Sequence, residues 1–172
     1  WGRSMGAATS LMFGEEDPSI ACLILDSPFS SLAVVAQELV ELSPIKLPKM
    51  LVSVGLKIIR RSIRKQAKFD INKLEPMAHV DKCFIPALFA HGENDNFILP
   101  HHCQDLYDKY VGDKNIIFVE GDHNSARPQF FHDSVSIFLH NYMLEHHTSF
   151  LATLGPEDLA PPRPENQPTI KG

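Results

Sequence analysis

The sequence lacks an apolar run long enough to span a lipid bilayer, which takes about 20 residues. Its longest candidate, 47–59, is interrupted by Pro48, Lys49 and Lys57. Cysteine is also scarce: there are three in 172 residues, and an odd count does not suit a disulfide framework. We therefore expect a globular protein of a reducing, cytoplasmic compartment.

Basic residues are too few for a chain-wide nucleic-acid surface. The sequence has 16 Lys and Arg against 21 Asp and Glu, for a formal net charge of −5. The charge is uneven, because 42–69 contains eight Lys and Arg and no Asp or Glu. We expect no nucleic-acid partner, but a local basic surface within this stretch.

Short apolar runs alternate with helical patterns along the first 146 residues. The runs predict strands covered on both faces, as in a parallel sheet, over 20–25, 85–90 and 115–119. Helical patterns cover 4–13, 32–42, 47–67, 101–111 and 128–146. Alternation of this kind predicts an α/β fold with a mostly parallel sheet and flanking helices.

Two segments do not fit a simple strand–helix–strand unit. Segment 31–69 holds two helical patterns where one would suffice, which predicts a helical lid or cap over the sheet. Its second helix has an apolar stripe of Val52, Leu56, Ile59 and Ile63. A separate basic face consists of Lys57, Arg60, Arg61, Arg64 and Lys68. This face predicts either a solvated surface or contact with an anionic membrane or substrate. The segment 147–172 is rich in proline and is predicted to be a disordered tail.

Gly2-Arg3-Ser4-Met5-Gly6 matches the G-x-S-x-G nucleophile elbow. Such a serine lies on a sharp strand-to-helix turn, and small neighbours allow the chain to approach closely. The turn presents the hydroxyl at the amino end of a helix, where unpaired N–H groups favour a developing oxyanion. We therefore predict Ser4 as the nucleophile and the Met5 N–H as an oxyanion donor.

A serine nucleophile needs a base, and the base needs a carboxylate that orients it. Asp95 and His123 each follow a predicted strand, in the chain order serine, acid, histidine that accompanies the elbow. Asp26 and Glu93 are alternative acids, since both also lie just past strands. Asp122 is next to His123 and is expected to point elsewhere.

Two pairs of adjacent histidines, His101-His102 and His146-His147, have no Cys or carboxylate at metal-ligand spacing. We interpret all four as helix-surface residues, and we predict no metal and no cofactor.

Together these motifs resemble the α/β-hydrolase superfamily. More narrowly, they are similar to eukaryotic proteins of the serine aminopeptidase-like (S33-like) hydrolase group. The resemblance rests on 1–6, 25–30, 89–92 with Asp95, and 121–124, and covers about residues 1–145. It implies Ser4 as nucleophile, His123 as base and Asp95 as acid, in a partial hydrolase domain over 1–146. It also implies an eight-stranded sheet in the intact family member, whose first half is absent from this sequence.

The resemblance implies a serine hydrolase that cleaves a small-molecule or acyl substrate, at an ester, thioester or amide bond, through an acyl-enzyme. A carboxylester or acyl-lipid substrate is favoured by the apolar and basic faces of the predicted lid. Two alternatives stay open. A serine aminopeptidase could use Glu93 to hold the substrate amine, and a non-catalytic binding protein would need no triad.

Overall fold

The computed structural model describes residues 1–43 and 73–153, and between them residues 55, 57, 61, 62, 64–66, 68 and 70; for 145–153 it describes the backbone alone. Strands and helices alternate in this part of the chain. They are β1 (Gly2–Arg3), α1 (Met5–Glu16), β2 (Leu23–Asp26), α2 (Leu32–Leu42), β3 (Ala87–Gly92), α3 (His101–Lys109), β4 (Lys114–Val119) and α4 (Gln129–Thr153). Two short 3-10 helices, Pro76–Ala78 and Val80–Lys82, precede β3.

The described strands form one parallel sheet in the order β1-β2-β3-β4. Leu23 pairs with Ala87 and Asp26 with Ala90, while Gly92 pairs with Val119. Since all strands run the same way, their carboxyl ends lie along a single edge. The turns that follow β1, β2, β3 and β4 therefore gather there, which is where open α/β sheets bind ligands.

Alternate residues of the central strands belong to different cores, as the two-residue period of a strand requires. Leu23, Leu25 and Phe89 pack in a cluster with residues of α1 and α3 on one face. Ile24 and Leu88 pack with residues of α4 on the other. Every residue of β2 and β3 is buried. The prediction of strands covered on both faces is confirmed for these two.

The prediction of a strand covered on both faces is wrong for the third apolar run, 115–119, which corresponds to β4. Of the residues of β4, Val119 alone is fully buried, and the others are partly or fully exposed. Among the described strands, β4 pairs with β3 on one side only. A strand at the edge of a sheet is less covered than a central strand. An apolar run in the sequence does not show which of the two positions its strand will occupy.

Strand and helix bounds differ from the sequence prediction where local chemistry decides them. Pro86 has no N–H to donate to a sheet, so β3 begins at Ala87 and not at 85. Helix α1 continues through Gly14 to Glu16. A Cβ at position 14 would come within 2.9 Å of the Cys83 Sγ, so this glycine allows close packing and does not end the helix.

Helix α4 reaches Thr153, beyond the predicted end at 146. The stretch 147–153 contains neither glycine nor proline, and the first strong helix breakers are Gly155 and Pro156. The helix therefore includes the start of the segment that was predicted to be a disordered tail.

The predicted lid is described only in part. Its first helix is α2, at the predicted bounds, and Lys57, Arg61, Arg64 and Lys68 of the basic face are exposed. Arg60 and the apolar stripe lie outside the described residues, as does 154–172 of the predicted tail. Among the helices that are described, none has an apolar stretch sufficient to cross a membrane.

Candidate active site

Ser4 occupies the turn between β1 and α1, in a backbone conformation that side chains rarely adopt. Its φ is 54° and its ψ is −117°. The Ser4 N–H donates to the carbonyl of Asp26 at 2.8 Å, which fixes the turn against β2. A Cβ on Gly2 would overlap the Gly6 carbonyl, so the first glycine of the motif is required sterically, whereas Gly6 has open space around it. Strain of this kind concentrates at functional positions.

Met5 is the first residue of α1, and its side chain is half exposed. No side chain among the described residues caps the first turn of this helix. The N–H groups at its amino end thus keep the partial positive charge of a helix terminus next to Ser4. The role of the Met5 N–H as oxyanion donor stays a prediction.

Asp95 and His123 lie in the turns after the paired strands β3 and β4, and their side chains meet. His123 Nδ1 is 2.7 Å from Asp95 Oδ2. The N–H groups of Phe97 and Ile98 donate to the other oxygen, Oδ1, at 3.0 and 2.9 Å. Because Asp95 is only 2% exposed, these contacts hold its carboxylate in one orientation.

The backbones of these two turns are also joined. The Asn94 N–H donates to the Gly121 carbonyl at 3.0 Å. A Cβ on Gly92 would lie 2.6 Å from the Gly121 oxygen, so a side chain there would force the turns apart. Asp122 closes the histidine turn by accepting from the Ser125 hydroxyl and from two backbone N–H groups. Its carboxylate is therefore used within the turn, as expected.

Burial alone would raise the pKa of the Asp95 carboxyl, but its hydrogen bonds reverse the effect. Those from His91, the Ile98 N–H, His123 and the Phe97 N–H bring this pKa well below its ordinary value. Asp95 is therefore an anion at neutral pH, and the Nδ1–H of His123 must be the donor to it. Nε2 is then the ring nitrogen that can accept a proton.

The depressed pKa of Asp95 has a consequence for acid stability. Its ionised form stabilises the fold above the unfolded carboxyl pKa of about 3.9, and this contribution is lost as the pH falls toward the folded pKa. Asp95→Asn lacks the group, so its free energy of unfolding should depend less on pH between about 5 and 2 than that of wild type. Urea unfolding at a series of pH values measures this. A wild-type slope in the variant would contradict the assigned pKa.

His91, which the sequence interpretation did not single out, also supports Asp95. It is completely buried in β3, and its Nε2 lies 2.8 Å from the Ile98 carbonyl and 3.3 Å from Asp95 Oδ2. Since carbonyl and carboxylate oxygens only accept, Nε2 carries the proton and donates to both. The available signal was its position at the end of a strand, four residues before Asp95.

Arg3, at the first variable position of the elbow motif, links the serine turn to the histidine turn. Its Nη2 donates to the carbonyl of His123 and, at 3.2 Å, to that of Ser125. Its Nε lies 3.5 Å from Asp26 Oδ2. Sequence reasoning missed this contact, because a motif with a free position gives no reason to expect a tether there.

Neither alternative acid, Asp26 or Glu93, is hydrogen-bonded to His123 in the described part of the chain. Asp26 is 2% exposed, and both of its oxygens accept from Arg127, at 2.7 to 3.2 Å. Arg127 also donates to Ser27 Oγ at 2.9 Å and to the Asp122 carbonyl at 3.3 Å. Asp26 thus anchors the histidine turn through Arg127, and Glu93 is exposed to solvent.

Ser4 Oγ itself forms no hydrogen bond within the described part of the chain. The structure brings Asp95 and His123 into direct contact and ties the serine turn to theirs through Arg3. Catalytic hydrogen bonds are often loose without substrate and tighten when it binds. The half-exposed ring of Phe97, whose centroid lies 5.1 Å from that of His123, adds an apolar surface beside the histidine.

The interpretation of His101 and His102 as helix-surface residues is wrong for His102. That residue is fully buried, and both rings contact Glu38 of α2. The carboxylate is far from the histidines in sequence, so no spacing rule could reveal it. The side chains of His146 and His147 lie outside the described residues.

We expect the buried Asp26–Arg127 pair to be important for stability. Arg127→Leu should lower the free energy of unfolding by about 3–5 kcal/mol, because the buried Asp26 carboxylate loses the guanidinium that binds both of its oxygens and keeps longer contacts, such as that to Arg3 Nε at 3.5 Å. Urea unfolding followed by circular dichroism measures this. The matched control is Lys109→Gln, which removes an exposed contact to Asp81 at 3.9 Å and should cost less than about 1 kcal/mol. Equal costs for the two variants would contradict the role assigned to Arg127.

No family model matches the chain, and no curated protein matches it. Solved structures do match, over most of its length. The esterase Pf2001 of Pyrococcus furiosus shares 21% identity with a TM-score of 0.58, over 83% of this chain and 52% of its own. The acetyl xylan esterase of Paenibacillus sp. R4 shares 16% with a TM-score of 0.60, over 83% and 44%. The monoacylglycerol lipase of Paleococcus ferrophilus shares 20% with a TM-score of 0.55, over 82% and 67%.

This chain therefore spans about half the length of the first two enzymes. At these identities the likeness concerns the fold, and the narrower resemblance to the S33-like group stays a prediction. The parallel sheet with its flanking helices agrees with the matches, and the fold predicted from the sequence is confirmed. The described part of the chain has an α/β-hydrolase fold.

Proposed function

We propose that this protein is a serine hydrolase that cleaves carboxylic esters through an acyl-enzyme. The observation that carries the proposal is the buried, ionised Asp95 bonded at 2.7 Å to His123, on the same sheet edge as the strained Ser4. A binding protein needs neither a strained serine nor an oriented imidazole. The neighbours with this fold are named as esterases and as a lipase, which supports ester chemistry.

In this mechanism His123 Nε2 removes the proton of Ser4 Oγ as the oxygen attacks the ester carbonyl carbon. Asp95 holds the ring in the required tautomer and stabilises the imidazolium that forms. The carbonyl oxygen becomes an oxyanion, which the Met5 N–H stabilises at the amino end of α1. The imidazolium then protonates the departing alkoxide. Water, deprotonated by His123, attacks the acyl carbon, and the imidazolium returns that proton to Ser4 Oγ as the acid leaves.

We favour a carboxylester or acyl-lipid with an apolar acyl chain. Phe97 offers an apolar surface beside the base, and Met5 and Phe13 are half exposed along α1. The test is covalent labelling of the full-length protein by a fluorophosphonate, together with hydrolysis of p-nitrophenyl esters of increasing chain length. A folded protein that neither reacts with the probe nor turns over any ester would refute the proposal.

A second part of the proposal concerns the basic face of the lid. Lys57, Arg61, Arg64 and Lys68 are exposed within a stretch that contains no acidic residue. Exposed ion pairs add little stability, so such a concentration of one charge favours attraction to an anionic surface or substrate. The face would bring the enzyme to anionic membranes, where acyl-lipid substrates are found.

Changing Arg61, Arg64 and Lys68 together to Gln should reduce co-sedimentation with anionic vesicles and leave that with neutral vesicles unchanged. Each basic residue near such a surface is worth about 1 kcal/mol, so a loss on the order of 100-fold in partitioning is expected. High salt should weaken wild-type binding similarly, since screening shortens the reach of the charges.

The matched control changes Lys82 and Lys109 to Gln and is compared with the double change of Arg61 and Arg64 to Gln, since each pair removes two charges from exposed positions. If both double variants lose binding equally, net charge is responsible and the assigned face is not. Wild-type binding that is equal for neutral and anionic vesicles would exclude the electrostatic attraction.

A further inference from the structure

Helices α2 and α3 meet at a cluster of three side chains that carry nitrogen and oxygen donors. Glu38 of α2 contacts both adjacent histidines at the start of α3. Its Oε1 lies 2.9 Å from His101 Nε2, and its Oε2 lies 2.8 Å from His102 Nε2. The two imidazole rings are stacked, with centroids 4.3 Å apart. One donor atom from each of the three residues falls within 4.8 Å of the others.

Each histidine also has a partner on its other ring nitrogen. His101 Nδ1 lies 3.2 Å from Asp105 Oδ2, one turn further along α3. His102 Nδ1 lies 2.7 Å from Ser30 Oγ, which belongs to the turn after β2. Both Nε2 atoms therefore face the same carboxylate, with the rings held from behind. Histidine ligands of metals are oriented in this way, by an oxygen on the second ring nitrogen.

We propose that Glu38, His101 and His102 form a zinc site that joins α2 to α3. Two imidazoles and one carboxylate are a known ligand set for Zn²⁺, with solvent at the fourth position. The side chain of His101 is 47% exposed, so the open position can face water, whereas His102 is completely buried. Nitrogen ligands disfavour Mg²⁺ and Ca²⁺, which prefer oxygen.

The two separations between histidine nitrogen and carboxylate oxygen require little adjustment to accept the ion. Bonds of about 2.0–2.1 Å in a tetrahedral site place neighbouring ligand atoms about 3.3 Å apart. The carboxylate oxygens now lie 2.8 and 2.9 Å from the two Nε2 atoms. A separation larger by about half an ångström admits the metal, and rotation of the partly exposed His101 and Glu38 side chains supplies it.

The protons on the two imidazole rings can also be rearranged so that both Nε2 atoms are free to bind the metal. Without metal, each Nε2 carries the proton that it donates to Glu38, and the Ser30 N–H donates to His102 Nδ1 at 3.4 Å. When zinc occupies Nε2, the His102 proton resides on Nδ1, where Ser30 Oγ accepts it, and the 3.4 Å hydrogen bond from the Ser30 N–H to Nδ1 is lost. His101 likewise donates from Nδ1 to Asp105. The charges also balance, because Glu38 and Asp105 together neutralise a dication.

The site is separate from the proposed serine chemistry, and its effect is structural. Zinc joins α2, the first helix of the predicted lid, to α3, which follows the turn that carries Asp95. Anything that binds the folded state and not the unfolded chain stabilises it. Zinc should therefore raise the melting temperature of the full-length protein, and Mg²⁺ at the same concentration should not.

The experiment titrates the full-length protein with Zn²⁺ alone, by calorimetry and by metal analysis after dialysis. Glu38→Gln and His101→Gln should each weaken zinc binding at least about 100-fold, and Ser30→Ala, which removes a supporting contact, by about 10-fold. The matched controls are Glu41→Gln on α2 and His140→Gln on α4, both exposed, which should bind as wild type does. The zinc-site variants and the control variants should all be labelled by a fluorophosphonate to the same extent as wild type.

Co²⁺ in place of zinc identifies the ligands independently of affinity. A site of two imidazoles and a carboxylate should give visible d–d bands without thiolate charge-transfer absorption near the ultraviolet. Thiolate absorption would assign the metal to the free cysteines Cys22, Cys83 and Cys103 instead and overturn the proposal. Affinity unchanged in Glu38→Gln and His101→Gln, or no zinc binding by the folded wild-type protein, would do the same.

Discussion

Ser4→Ala should abolish covalent labelling by a fluorophosphonate and lower ester turnover by about 10⁶-fold, the scale seen when a serine protease loses its nucleophile. The physical reason is that the Ser4 hydroxyl is the group that the turn between β1 and α1 presents at the amino end of the helix. Mass spectrometry of the labelled protein and initial rates with a p-nitrophenyl ester measure the two effects.

Ser10→Ala is the matched control for this substitution. Ser10 lies on the same helix, and its hydroxyl donates to the Gly6 carbonyl at 2.8 Å. Its loss should leave labelling and turnover intact. Ser4→Gly tests whether the fold survives. Glycine adopts a φ of 54° without strain, so this variant should have a melting temperature at least as high as that of wild type. It should nevertheless be inactive, because it lacks the hydroxyl. Labelling that persists in Ser4→Ala would remove Ser4 from the mechanism.

Asp95→Asn should lower turnover by about 10³–10⁴-fold with little change in apparent substrate affinity. The amide can donate to His123 Nδ1, which selects the wrong tautomer and leaves Nε2 protonated, so the base is lost although the ring stays in place. Asp108→Asn, an exposed carboxylate on α3, is the control for a general effect of charge. Glu93→Gln tests the alternative acid directly. A larger loss in Glu93→Gln than in Asp95→Asn would reverse the assignment.

The sequence was sufficient for most of the elements and for the order of the candidate catalytic residues, because both are local signals. Glycine and serine at fixed spacing predicted the turn at Ser4. Apolar runs of strand length predicted which turns would share one sheet edge, and so brought Asp95 and His123 together. These two side chains are joined by a hydrogen bond of 2.7 Å, and their catalytic roles stay a prediction.

Contacts between residues far apart in the chain could not be found in this way. From the sequence, Asp26 was an alternative candidate for the triad acid. The structure shows that both of its carboxylate oxygens accept hydrogen bonds from Arg127, about a hundred positions later in the chain. Likewise, His102 was assigned to the surface because no Cys or carboxylate stands at metal-ligand spacing, whereas its polar partners, Glu38 and Ser30, are more than 60 positions away in the chain. Pairing of charges across the fold depends on three-dimensional packing, which periodicity does not encode.

The complete burial of β2 and β3 has a consequence during synthesis. Their apolar residues are sequestered only when the two strands pair, and β2 leaves the ribosome long before β3 does. Between those events the flank of Leu23–Asp26 that will pair with β3 is open, although its other flank can pair with β1, and the open edge of an apolar strand can associate with other chains. Folding of this protein is thus exposed to aggregation in the interval that the lid segment takes to be made, and chaperones that shield short apolar stretches would act there.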